Sequence, residues 1–394
     1  MSVSHQKETT TTGNNNNKPP SPARQDLMPA AKPFGNLESV AYFNGAMPTG
    51  VTVSHKGRIF VNFPRWGDTV PFTVGEIRNG SPVAYPDPEI NQINEQDPGA
   101  ALMSVQSVVV DPADRLWILD TGSPLFQPTK YGGPKLVCVD LETNKVIEKI
   151  LISQNVALPT TYLNDVRFDL RRDKGHGGQI AFITDSAQNG PNGIIVVDLD
   201  SGESWRRLND HPSTKAEDLQ NFLPVVEGHP FTVRQKDESI TLAASMGSDG
   251  IAISSRGDRL YYCPLASRRL YSVSTEALVD RSLDEQQVAS TVKEEGDKGG
   301  ASDGLESDAE GRIYATNYEH NAILRRRLDG EWETVAYDPR LLWPDTLSLA
   351  SDGHLYVTAN QLHRQARFHN GRDLRHKPYM LFRIRVDAQP VMLR

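Results

Sequence analysis

The sequence predicts an all-β fold, a six-bladed β-propeller whose ring is closed by its N- and C-terminal strands in one blade. Three observations carry this. One hairpin unit recurs along the chain, its copies are spaced at about blade length, and both ends of the repeated region show strand-like alternation.

The clearest unit is Gly299–Asn317. Ser302–Ser307 reads as one strand, Asp308–Gly311 as a tight turn and Arg312–Thr316 as the second strand. Gly311 tolerates positive φ, and the Asp308 carboxylate suits bonding to its own backbone. Ser248–Tyr262 and Pro344–Val357 are near copies. Thr49–Asn62, Val105–Asp120 and Asn164–Asp185 are weaker ones, the last with its turn enlarged over Arg171–Gly178.

Outer strands follow each unit. Lys135–Asp140 and Lys145–Ile152 complete blade two, and Gly193–Asp198 and Glu203–Leu208 complete blade three. Arg269–Val273 is a third strand for blade four. Ala322–Arg326 and Trp332–Tyr337 complete blade five. Glu38–Phe43 alternates weakly and is expected to pair with Met380–Val386, so that no sheet edge stays open. Asn79–Ala101, rich in Pro, Asn and Asp, reads as a long loop, as does polar Gln361–Lys377. Lys215–Phe222 reads as a short helix and Thr275–Ala289 as a surface helix. Residues 1–36, with poly-Thr, poly-Asn and Pro-rich runs, read as a disordered tail, which leaves 37–394 as one propeller domain.

The 394 residues are 38% hydrophobic and 23% charged, with a net charge of −8. An acidic chain lacks the concentrated basic face that phosphate binding needs, so nucleic acid is not an expected partner. The basic stretch His363–Lys377 reads as a solvated loop. No run approaches the ~18 apolar residues of a membrane span, and no leader-type apolar core lies in the first 36 residues. The expectation is a soluble cytoplasmic protein without a membrane partner. Cys138 and Cys263 sit in apolar strand patterns and read as buried free thiols.

In a propeller the first strand of each blade lines the central channel. The residues opening those strands are Gly50, Gln106, Asn164-Asp165, Asp249, Asp303 and Asp345. An Asp at a strand start is often turn chemistry alone, but four at one repeat register point to a site. Converging carboxylates repel unless a cation neutralises them or some hold protons. Oxygen-only donors select a hard cation, Ca²⁺ before Mg²⁺, and the absence of His at these places disfavours zinc. No organic cofactor is implied. Asp303 and Asp345 are the expected acid or base, Tyr162, His363 and Asn360 donors near the mouth, and Gln106 and Asp165 channel residues. Weighed against this, His363 reads as an exposed loop histidine, and Trp117 and Trp343 as core aromatics. Gly300–Gly304 fits Gly-x-Ser-x-Gly, but a strand follows it and not a helix, so no nucleophile elbow is expected.

Asn164-Asp165, Ser248-Asp249-Gly250 and Ser302–Gly311 resemble the motifs of the senescence-marker/gluconolactonase six-bladed propellers, which hold one divalent metal, usually Ca²⁺. That resemblance implies Asn164, Asp249 and Asp303 as ligands. The first-blade ligand of that family is Glu, and the matching place here is near Gly50. A closer resemblance is to the Yellow/major royal jelly protein family. It is carried by Leu116–Gly122, Lys135–Leu141, Tyr162–Val166, Ile183–Ser186, Leu342–Leu347 and Thr358–Leu362, and spans about residues 40 to 390. It implies a small-molecule ligand or substrate in the channel. The implied chemistry is non-redox isomerisation, dehydration or cyclisation of an oxygenated cyclic metabolite, of dopachrome-tautomerase or hetero-Diels–Alder type, in secondary metabolism. A Ca²⁺-dependent lactonase and a non-catalytic ligand-binding propeller are the alternatives.

Overall fold

The computed structural model describes residues 32–171 and 178–394. Most of the expected tail, and the enlarged turn of blade three, lie outside the described residues. Six four-stranded antiparallel sheets follow one another. Blade one is Val51–Val53, Ile59–Asn62, Val74–Arg78 and Ser81–Ala84; blade two is Val105–Val110, Arg115–Thr121, Pro134–Asp140 and Lys145–Leu151. Blade three is Leu163–Asp169, Ile180–Asp185, Gly193–Asp198 and Ser204–Arg207. Blade four is Ser248–Ile253, Arg259–Pro264, Arg269–Ser274 and Lys293–Asp297. Blade five is Leu305–Ser307, Ile313–Asn317, Ala322–Arg326 and Trp332–Tyr337. Blade six runs Pro344–Leu349, His354–Ala359 and Tyr379–Arg385, and the N-terminal strand Leu37–Phe43 supplies its outer edge.

The closure follows the expected pairing. Leu37 faces Ile384 and Phe43 faces Tyr379, and Arg383 Nε donates to Glu38 Oε2 at 2.8 Å. Apolar layers fill the wedges between sheets. Trp117, Leu119, Leu136, Phe168 and Ile195 form one such layer between blades two and three. Each fully buried side chain of this size contributes about 1.5–3 kcal/mol.

Four expectations are corrected. Asn79–Ala101 is not all loop: Ser81–Ala84 forms the outer strand of blade one, in a hairpin turned at Asn79-Gly80, both at positive φ. Lys215–Phe222 is no helix; Asp218 bonds the Gln220 and Asn221 amides and stops after one turn. Thr275–Ala289 is two helices, Thr275–Val279 and Glu285–Ala289, because Asp284 caps the second with a reciprocal bond from Gln287. The basic stretch His363–Lys377 is a solvated loop only in part: Arg367, Asn370–Asp373, His376 and Lys377 are exposed, but its start is not. Leu362, His363 and Gln365 are buried, and the segment packs with two extra hairpins, Val225–Pro230 and Thr232–Leu242, over one end of the ring. Among the described residues no helix is long and apolar enough to cross a membrane.

Candidate active site

The inner strands carry a repeated irregularity at the capped end. Register shifts fall between Val105 and Ser107, Leu163 and Val166, Ser248 and Ile251, and Pro344 and Leu347. Each bulge spans the residues that open the strand: Gln106, Asn164-Asp165, Asp249-Gly250 and Asp345-Thr346. In blade five, Ser302–Gly304 precede the strand altogether. A bulge frees a residue from the ladder and re-aims its side chain. A threonine on the neighbouring strand satisfies the freed amides. Thr316 Oγ1 accepts from Asp303 N (3.0 Å) and Gly304 N (3.1 Å), and Thr358 Oγ1 accepts from Thr346 N (3.2 Å). Thr184 and Thr358 also donate across to the next blade, to the Asp249 and Thr49 carbonyls. These bridges lock the blades together where the side chains turn inward.

Asp249, Asp303 and Asp345 come together there, exposed by only 4%, 7% and 3%. Asp249 and Asp303 share a hydrogen bond. Trp343 Nε1–H donates to Asp303 Oδ2 at 2.6 Å, and Asn360 Nδ2 donates to Asp345 Oδ2 at 2.6 Å. No Arg or Lys salt-bridges these three carboxyls among the described residues. Burial, and then the field of neighbouring carboxyls, pushes the Asp249 and Asp345 carboxyls well above the ordinary range. Burial raises Asp303 to about 6, with the Trp343 indole opposing the shift. The group therefore holds protons near neutrality and titrates as a set.

Asp165 stands apart in chemistry. Arg167 donates to its Oδ2 at 2.9 Å and Ser107 to its Oδ1 at 2.6 Å, so it is a neutralised carboxylate in the channel wall. Gln106 Oε1 accepts from the Tyr162 hydroxyl at 3.0 Å, and that hydroxyl accepts from Trp66 Nε1 at 2.7 Å. Burial raises the Tyr162 phenol, which stays neutral. His363 is buried, in contrast to the exposed loop histidine of the alternative reading. Its Nε2 bonds Glu227 Oε2 at 2.6 Å and its Nδ1 has no partner. Burial lowers its basicity, so the ring is neutral at pH 7.

Trp343 is not merely core. Its ring stacks on Tyr318 at 4.1 Å and 8°, and on His363 at 5.7 Å, while Phe231 meets it edge-on at 5.4 Å. Its φ is +56°, a conformation bulky side chains rarely hold. The stack and the bond to Asp303 offset that strain, which is the pattern of a residue placed for function. Trp343, Tyr318, Phe231 and Glu227 were not singled out for the site. The one available signal was Leu342-Trp343-Pro344-Asp345, where an aromatic precedes a mouth aspartate by two residues. Phe231 and Glu227 lie in an insertion outside the repeat and carry no register.

The donor set fits Ca²⁺ poorly. At the first-blade place, a side chain on Gly50 would meet Asn62 Oδ1 at 2.0 Å, so no carboxylate fits there. Asp249 and Asp303 are bonded to each other and Trp343 occupies Asp303. Among the described residues no three His, Cys, Asp or Glu side chains stand in ligating geometry. The Gly300–Gly304 segment leads into a strand, as expected, and Ser302 Oγ is buried without a partner.

Solved structures share the fold. Regucalcin from Agrobacterium tumefaciens superposes with a TM-score of 0.53 at 14% identity, covering 90% of this chain and 98% of its own. A luciferin-regenerating enzyme gives 0.52 at 10% identity, covering 92% and 100%. In sequence, major royal jelly protein 7 of Apis mellifera is 29% identical over 239 residues, 59% of this chain and 49% of that protein. Protein yellow of Drosophila pseudoobscura pseudoobscura is 30% identical over 246 residues, 60% and 41% respectively. The chain thus spans about half or less of those relatives' lengths. The major royal jelly protein family model matches residues 103–391, which takes in blades two to five and the three inner strands of blade six. By that match, over well more than half of its length, the protein belongs to the major royal jelly protein family.

Proposed function

We propose that the chain is an enzyme that moves a proton on a small oxygenated cyclic metabolite, without a redox cofactor, at the Asp249–Asp303–Asp345 cluster. Isomerisation, dehydration and cyclisation all share that requirement. One observation carries the reading: three carboxyls converge with no cationic partner, under an aromatic roof, and one of them titrates near 6. A carboxyl poised near the working pH is the efficient general acid or base. Asp303 takes the proton from substrate, and the indole N–H of Trp343 steadies its ionised form. Asp345, held neutral by burial and by the neighbouring Asp303, and oriented by Asn360, donates to a developing oxyanion. The roof of Trp343, Tyr318 and Phe231 keeps water from the reactive intermediate, and entry requires that roof to part.

The test uses dopachrome as probe, followed by its visible absorbance, with glucono-δ-lactone as the hydrolysis comparator. Dopachrome loss by wild type that survives EDTA and disappears in Asp303→Asn supports the reading. Lactone hydrolysis that EDTA abolishes and Ca²⁺ restores overturns it in favour of a metal-dependent hydrolase. Binding of dopachrome with no turnover reassigns the chain as a ligand-binding propeller.

A further inference from the structure

The segment Gln361–Lys377 carries one arginine that differs from its neighbours. Arg364 is held by Glu227 at 2.8 and 2.5 Å, and Arg375 by Asp68 and Asp373 at 2.8 and 2.7 Å. Arg367 has no hydrogen bond or ion pair to any described residue. Its guanidinium lies instead over aromatic rings: 4.5 Å from the Phe368 centroid, 4.9 Å from Phe126 and 5.6 Å from Trp66. Its side chain is exposed, so the edges of the guanidinium that the rings do not cover are open to solvent. Desolvation on the covered side pushes it down to about 10, so it remains a cation at neutral pH.

The platform leads inward. Phe126 stacks on Tyr162 at 5.2 Å, and Tyr162 bonds Gln106 at 3.0 Å on the channel wall. Tyr162 is in turn close enough to feel the charges of Arg367, Asp249 and Asp345. A guanidinium held flat on rings, with no protein acceptor on its donors, presents those donors to an incoming acceptor. Its planar fork matches a carboxylate. A single cation on an apolar floor, above an acidic cluster in a chain of net charge −8, suits a monoanion and disfavours a phosphate dianion.

We propose that Arg367, on its Trp66–Phe126–Phe368 platform, anchors the carboxylate of a small organic acid whose body reaches toward the aspartate cluster. This rests on the reading of that cluster as the working end.

The test is binding of trans-cinnamate and its uncharged methyl ester to the full chain, followed by tryptophan fluorescence. Wild type is expected to bind cinnamate at least about tenfold tighter than the ester. Arg367→Met should abolish that preference, Arg367→Lys should keep part of it, and Arg372→Ala, an exposed arginine of the same segment, should leave it intact. Equal binding of acid and ester by wild type, no binding of either, or an unchanged preference in Arg367→Met each overturns the proposal. Cinnamate binding in Asp303→Asn separates the two readings. Retained binding there, with or without turnover in wild type, leaves the anchor standing whatever becomes of the proton-transfer chemistry.

Discussion

Asp308 and Asp303 lie five residues apart at opposite ends of one inner strand, and both are almost wholly buried. Asp308 accepts the Glu310 and Arg312 amides at 3.0 and 2.9 Å, the Arg312 guanidinium at 2.6 Å and the Tyr314 hydroxyl at 2.9 Å. Blade two repeats the arrangement. Asp111 accepts the Ala113 and Arg115 amides, the Arg115 guanidinium at 2.7 Å and the Trp117 indole at 2.8 Å. Asp303 has one indole donor and a carboxyl neighbour, and among the described residues no cation pairs with it. The same residue type therefore builds hairpins at one end of the ring and leaves unneutralised acids at the other. Partner count separates architecture from chemistry here; burial does not.

The largest effect expected from this contrast is on turnover. Asp303→Asn keeps an acceptor for Trp343 but removes the titrating group, and should lower kcat by about 10²- to 10⁴-fold, with unchanged circular dichroism. A loss below tenfold breaks the contrast from the acidic side.

Next in size is the turn. Asp308→Ala leaves Arg312, Tyr314 and two amides without their shared acceptor, and should cost about 3–5 kcal/mol in urea denaturation. The folded fraction should keep its activity. Full stability in this variant would mean that the turn aspartates hold nothing.

A third measurement concerns pH and stability. The folded pKa of Asp303 is raised from 3.8 to about 6. The folded state thus holds the proton more tightly, and its contribution to stability is lost as pH rises from about 4 to about 6. Asp303→Asn removes that penalty. Its stability relative to wild type should improve by about 1–3 kcal/mol between pH 4 and pH 7. The same titration should place the acid limb of the rate profile near pH 6, with rate rising through it. A flat difference across this window would place a counter-cation beside the cluster.

The smallest effect expected is that of calcium. With Gly50 in place of a first-blade carboxylate, millimolar Ca²⁺ should move the Tm by less than about 2 °C. A larger rise would show that the three carboxyls reorganise around an ion.

The ring was legible because each inner hairpin announces itself with a turn residue at a fixed offset from an apolar strand. The mouth register was legible for the same reason, and it placed Asp249, Asp303 and Asp345 at one end. What escaped lies off the repeat. Ser81–Ala84 is short, carries Pro82 and sits among turn-forming residues, so its edge pairing has no local pattern. The capping hairpins are two and three residues per strand, too short for alternation to register. The charged run His363–Lys377 reads as solvated because polarity reports composition. The burial of its first turn comes from contacts made by Glu227 and Phe231, more than a hundred residues upstream.

The shared sixth blade has a consequence for when this protein comes into being. Asn360 orients Asp345 and also donates to the Pro48 carbonyl at 3.0 Å, while Tyr379–Arg385 must be made before Leu37–Phe43 can dock. A ribosome therefore has to deliver the strand Tyr379–Arg385 before the ring around the acidic cluster can close. Such long-range contacts are slow to form. Nascent copies therefore lack the assembled aspartate cluster until the sixth blade closes.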